Sequence, residues 1–162
     1  MTEVKENSLI VELRTFAKLI GEEGRQAEFY LQMLKDAKPI EVVRLSEVFT
    51  ETEIKAIKRF VNPKVKECYR NATLFSHIYP EVKYVEGKMT CCGAFGIEHA
   101  WNKVGDKYVD ITMELVLDRD PTKEEYMALG EYDQETVVSI CSEMGFYGSV
   151  YPILYNKQKS EK

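Results

Sequence analysis

The sequence predicts an α+β fold, a helical stretch followed by a small antiparallel sheet. Apolar residues recur at helical spacing through roughly the first 60 positions: Leu9, Ile10, Leu13, Phe16, Leu19 and Ile20, then Phe29, Tyr30, Met33 and Leu34. From Val82 the period falls to two, and Gly105-Asp106 stands between two β-prone runs as a tight hairpin turn. Helices and strands are segregated along the chain rather than alternating, which favours α+β over a parallel α/β sheet.

Taken in order, Ser8 is the expected N-cap of the first helix, and Gly21 and Gly24 bracket the break after it. A second helix runs through Ala37 and is ended by Pro39. Thr50-Glu51-Thr52-Glu53 has the form of a capping box and opens a third helix carrying Ile54, Ile57 and Phe60. Asn62-Pro63 reads as an N-cap with proline at the first helical position, opening a helix that stops near Ile78, ahead of Pro80. Residues 82–86 read as a strand, Gly87 as a turn and 88–92 as a second strand. Gly93 and Gly96 flank a loop into a strand over 97–101, which the Gly105-Asp106 turn joins to a strand over 107–112. Beyond these lie a further strand at 114–117, a short helix from Thr122 through Leu129 and a helix over 133–144. Residues 146–155 are aromatic and β-prone, and 156–162 read as a disordered tail. Residues 1–155 thus form one domain, with a helical subregion at 1–60 and the chemistry concentrated in 62–117.

At 162 residues with 44% hydrophobic and 30% charged side chains, the chain can bury a core without staples. A net charge of −5 speaks against phosphate-driven nucleic-acid binding. No apolar run approaches the ~20 residues that span a bilayer, and the N-terminus lacks the basic start and apolar stretch of a signal peptide. A cytoplasmic protein without a membrane partner is expected, its four cysteines present as thiols. Cys91 and Cys92 are adjacent; on a strand their side chains point to opposite faces, so no bridge between them is expected. The same divergence disfavours a metal site built from Cys91, Cys92, His99 and Asp110, and no CxxC pair offers zinc spacing. No metal and no cofactor is expected.

The residues that carry chemistry are Cys68, His99 and Asp110. A thiol, an imidazole and a carboxylate that converge make a nucleophile, its base and the group that orients the base. With Gly105-Asp106 at the turn, Val104 pairs with Lys107, Trp101 faces Asp110 and His99 faces Thr112. These four side chains share one face, and Asp110 becomes the diagonal neighbour of His99, about 5–8 Å away between α-carbons. His77, nine positions from Cys68 in the sequence, falls on the opposite side of the same helix, which leaves His99 as the candidate base. If the helix opens at Pro63, Cys68 lies deep for the N-terminal dipole; a start nearer Lys66 suits a reactive thiol better. Trp101 and Cys141 read as core, while Glu86 and Glu98 either line the cleft or face solvent.

The runs Cys68-Tyr69-Arg70-Asn71-Ala72, Tyr84-Val85-Glu86-Gly87, His99-Ala100-Trp101-Asn102 and Val109-Asp110-Ile111-Thr112 resemble the transglutaminase-like and papain-like thiol superfamily. There a helix carries the cysteine, and the following strands carry a His-Ala-Trp and a Val-Asp-Pro-Thr motif; here Ile111 stands where proline is usual. The resemblance covers residues 62–117. It implies a papain/transglutaminase-like core and a thiol hydrolase or acyltransferase working through a thioester. Cys68 would attack a carbonyl, His99 would move the proton and Asp110 would orient His99. The substrate would be a protein, peptide or small amide. The Cys68 backbone N–H would be one oxyanion donor and the Asn62 amide a second, with Trp101 shielding the His99–Asp110 bond. Two other readings stay open: a binding or regulatory module that keeps the fold without catalysis, and a redox or zinc-sensing role through Cys68, Cys91 and Cys92.

Overall fold

The computed structural model describes residues 5–161. Helix α1 (Ser8–Ile20) is capped by Asn7, one residue before the expected Ser8, because the Asn7 side chain accepts the N–H groups of Leu9 and Ile10. The break at Gly21 and Gly24 separates it from α2 (Arg25–Asp36), and Lys38–Ile40 then forms the edge strand β1. Helix α3 (Glu51–Val61) opens on the expected Thr50–Glu53 capping box. Asn62 ends this helix in a left-handed conformation rather than opening the next one, which begins later, as α4 (Cys68–Ile78). The physical reason is a side-chain clamp. Asn71 accepts the Lys64 N–H (2.9 Å) and donates to the Lys64 carbonyl (2.8 Å), holding residues 63–67 as a loop.

The sheet comprises β2 (Val82–Thr90), β3 (Gly96–Val104), β4 (Lys107–Val109) and β5 (Tyr126–Tyr132), in the order β1-β5-β2-β3-β4, with every neighbour antiparallel. Gly87 is no turn: β2 runs straight through it. Glycine is required there because a Cβ would lie 1.9 Å from the Met127 carbonyl oxygen, beside a bulge between Glu86 and Gly87. The β3–β4 hairpin has the predicted register, Val104 on Lys107 through Asn102 on Val109. The ladder stops there. Asp110 accepts the Met113 N–H (3.1 Å) and turns the chain into a π-helical segment, Thr112–Val116, where a strand was expected.

The helix expected over 122–129 is instead a 3-10 turn, Pro121–Lys123, followed by β5. Tyr126, Met127 and Ala128 are buried on both faces of a central strand, and tertiary burial overrides local propensity. The helix expected over 133–144 forms as α5 (Gln134–Met144), with Asp133 as its N-cap rather than its first residue. Helix α6 (Tyr151–Ser160) replaces the second half of the β-prone segment and most of the expected disordered tail, while residues 146–150 form no strand. Its N-terminus is capped from a distance by Glu86, which accepts the N–H groups of Val150 (2.8 Å) and Tyr151 (3.2 Å). The last tail residue, Lys162, lies outside the described residues.

Val42, just past β1, bridges to Tyr108 on β4, so the two edges of the sheet curl toward each other. The cluster enclosed contains Val85, Met89, Trp101, Tyr108, Met113 and Tyr126. Helices α1 and α2 pack against Met127, while α4, α5 and α6 cover Tyr84 and Ala100. Among the described residues no helix is long and apolar enough to cross a membrane.

Candidate active site

Cys68 is the first residue of α4 and is half-buried. The N–H groups of a first helical turn have no acceptor within the helix, and the dipole places positive potential at that end. The Asn71 clamp puts the thiol there. Asn71 is fully buried and, besides holding Lys64, donates to the Thr112 hydroxyl (3.0 Å), tying the loop before Cys68 to the segment after Asp110.

His99 comes from β3, at a stretch where β4 has already ended. Its Nε2 lies 2.7 Å from Asp110 Oδ2, with the two residues 5% and 0% exposed. Asp110 also accepts the Tyr126 hydroxyl (2.7 Å) and the Met113 N–H (3.1 Å). Three donors converging on one buried carboxylate leave it little freedom to move. Trp101 stacks on the imidazole, ring centres 6.1 Å apart and planes 21° apart, and Tyr126 packs against both rings. With Nε2 engaged, Nδ1 is the ring nitrogen left free, and the Cys68 sulfur is near enough to favour the charged imidazole. Burial alone would discharge the imidazole. The Asp110 carboxylate and then the Cys68 sulfur outweigh it, and His99 is pushed up to about 10. Burial, and the Asp110 charge beside it, likewise push the Tyr126 phenol well up, so it acts as a donor.

Cys68, His99 and Asp110 come together, but not through the full register expected. The ladder ends at Asn102–Val109, so Trp101–Asp110 and His99–Thr112 do not pair across strands. Asp110 reaches the imidazole from the turn beyond β4. The other two sequence candidates do not join them as expected. Trp101 is 1% exposed, which excludes it as a substrate contact and leaves it as the packing partner of His99. Asn62 caps α3, is exposed, and its side-chain amide makes no hydrogen bond among the described residues; its N–H bonds the Lys58 carbonyl (3.1 Å) and its carbonyl accepts from Arg70 (3.2 Å). His77 is exposed in the last turn of α4, away from the thiol, and Cys141 is buried in an apolar cluster. Glu86 is buried and Glu98 is exposed.

Two contributors escaped sequence reasoning. Tyr126 lay in a segment that reads as helix, and nothing local signals its bond to Asp110. Asn71 stood in the cysteine run, where an amide three residues past the thiol was the available signal. A cavity of about 70 Å³, lined by Tyr69, Glu86, Lys88, Glu98, Leu129 and Ser149 among others, adjoins this end of α4. Burial, then the charges of Glu86, Glu98 and Cys68, push the Tyr69 phenol up, which keeps it neutral. Among the described residues no group of three His, Cys, Asp or Glu side chains is placed to hold a metal ion. No protein-family model, curated protein or solved structure matches the chain.

Proposed function

We propose that the protein is a cysteine-dependent acyl-transfer enzyme with a papain/transglutaminase-like core, acting on an amide or related acyl bond of a protein, peptide or small molecule. The observation that carries this reading is the buried 2.7 Å His99–Asp110 hydrogen bond beside a thiol at the first position of a helix. The Cys68 thiolate attacks the carbonyl carbon, and the developing oxyanion is met by the unpaired N–H groups at the start of α4, that of Cys68 among them. His99, held protonated by Asp110, delivers its Nδ1 proton to the leaving nitrogen as the carbon–nitrogen bond breaks, leaving a thioester on Cys68. A water or an amine then attacks the thioester, His99 takes its proton, and the thiolate departs. Four free cysteines support a reducing, cytoplasmic setting.

The test is acylation by activated esters, read by peptide mass spectrometry in wild type and His99→Ala. The expected result is an acyl adduct on Cys68 that the substitution abolishes. Equal acylation of Cys68 and the exposed Cys92, indifferent to His99, would sink the reading in favour of a binding module without catalysis.

A further inference from the structure

Cys91 and Cys92 occupy the tip of the β2–β3 hairpin, outside both strands. β2 ends at Thr90 and β3 begins at Gly96, and the turn between them is closed by the Cys91 N–H on the Phe95 carbonyl (2.9 Å) and the Ala94 N–H on the Cys91 carbonyl (3.1 Å). Cys92 has φ 53°. The strand alternation that would send neighbouring side chains to opposite faces does not operate in this turn. The two thiols instead interact: desolvation, then the Cys92 sulfur, push the Cys91 thiol up, against the pull of Arg119.

Neither sulfur has a packing role. Cys141 belongs to an apolar cluster, whereas among the described residues Cys91 and Cys92 belong to none. Cys92 is exposed, and Arg119 Nη1 donates to its Sγ at 3.2 Å. Arg119 is itself anchored, its N–H bonding the Met113 carbonyl (2.8 Å). Glu124 pins the turn from the other side through the Gly93 N–H (3.0 Å) and the Thr90 hydroxyl. A guanidinium held against an exposed sulfur is the setting in which cysteine attacks as a thiolate, and here a second thiol is the next residue.

We propose that Cys91 and Cys92 form a reversible vicinal dithiol–disulfide switch that exchanges with small-molecule disulfides of the glutathione class. The Cys92 thiolate attacks one sulfur of the small disulfide, forming a mixed disulfide and expelling one thiolate. Cys91 then loses its proton to solvent and attacks the Cys92 sulfur, closing the ring and expelling the second thiolate. The two protein thiols lose two electrons and two protons; the small disulfide gains them and leaves as two thiols. Adjacent α-carbons are about 3.8 Å apart across a trans peptide, short of the ~4.4–6.8 Å that disulfides usually span. Ring closure therefore reshapes the turn and gives a bond that mild reductant reopens. The turn leads into the strand that carries His99, at whose start the Gly96 N–H bonds Glu12 (3.2 Å), so oxidation acts on the entry to the candidate active site.

The switch is tested by incubating the full-length protein with oxidised glutathione and analysing the tryptic peptide spanning residues 89–103, which holds both cysteines. Wild type is expected to lose two hydrogens from that peptide without retaining glutathione, and to recover them in dithiothreitol. Cys91→Ser is expected to retain one glutathione on Cys92, and Arg119→Ala to slow the first step about tenfold. A persistent glutathione adduct on the wild-type peptide, or no reaction at either cysteine, would overturn the proposal. Both cysteines lie in a turn without a packing role, so Cys91→Ser keeps the fold, which circular dichroism verifies. The readout involves no acyl chemistry, so its failure is distinct from failure of the proposed enzymatic function.

Discussion

Asp110 and Glu86 are both buried carboxylates, 0% and 3% exposed, and both are saturated with hydrogen bonds. Asp110 receives His99, Tyr126 and the Met113 N–H. Glu86 receives Tyr84, Ser149 and the N–H groups of Val150 and Tyr151. The difference lies in the donors. Every partner of Glu86 is neutral, so burial prevails over the hydrogen bonds and pushes its carboxyl up, and the group serves as an anchor for α6. One partner of Asp110 can hold a proton and faces a thiol, so the negative charge is passed on as a raised affinity of His99 for its proton. A buried carboxylate becomes part of a reactive group only when one of its donors can hand a proton to something else.

The sharpest way to break this contrast is a pair of isosteric substitutions. Asp110→Asn is expected to lower acyl transfer and Cys68 alkylation about 10²–10⁴-fold, and Glu86→Gln less than about tenfold, in second-order rate constants for the two variants. Comparable losses would erase the distinction.

Glu86→Ala removes the acceptor for four donors and the cap of α6. It is expected to cost about 3 kcal/mol in urea unfolding, with the folded population still alkylated at Cys68 at near wild-type rate. Tyr126→Phe removes one neutral donor from Asp110. A loss of about 1–2 kcal/mol and a severalfold drop in Cys68 alkylation are expected, because His99 and Met113 still hold the carboxylate.

The smallest effects are in pH dependence, and the two groups act in different windows. His99 is raised from its ordinary 6.5 to about 10, so its pairing stabilises the fold fully below about 6.5, and that contribution is lost as pH rises through 10. Glu86 is raised above its ordinary 4.5, so its contribution is full below about 4.5 and fades as pH rises through its higher folded value. Glu86→Gln should therefore flatten the pH dependence of the urea midpoint on the acid side, and Asp110→Asn on the alkaline side.

The same contrast explains what was legible in the sequence. The β3–β4 hairpin and its register follow from a glycine turn and a period of two, both local patterns, and they bring Asp110 near His99 although it lies past the last strand pair. The Thr50–Glu53 box and the apolar pattern of α5 are local too. The errors arise where a distant residue decides the local structure. Glu86 makes a helix of the chain after Val150, and the Met127 backbone forces glycine at position 87 within a continuous strand. Asn71 delays α4 until Cys68, correcting an Asn62-Pro63 signal that local rules favour. Tyr126 reaches Asp110 only because β5 inserts inside the sheet, between β1 and β2, which nothing near Tyr126 announces.

The central claim is that His99, held by Asp110, makes Cys68 a reactive thiolate. Its most direct test is the pH dependence of iodoacetamide labelling at each cysteine, in wild type and His99→Ala, resolved by peptide mass spectrometry. The account predicts fast labelling of Cys68 that is lost in His99→Ala, while Cys92 labels unchanged. Slow labelling of Cys68 that is indifferent to the His99 substitution would contradict it.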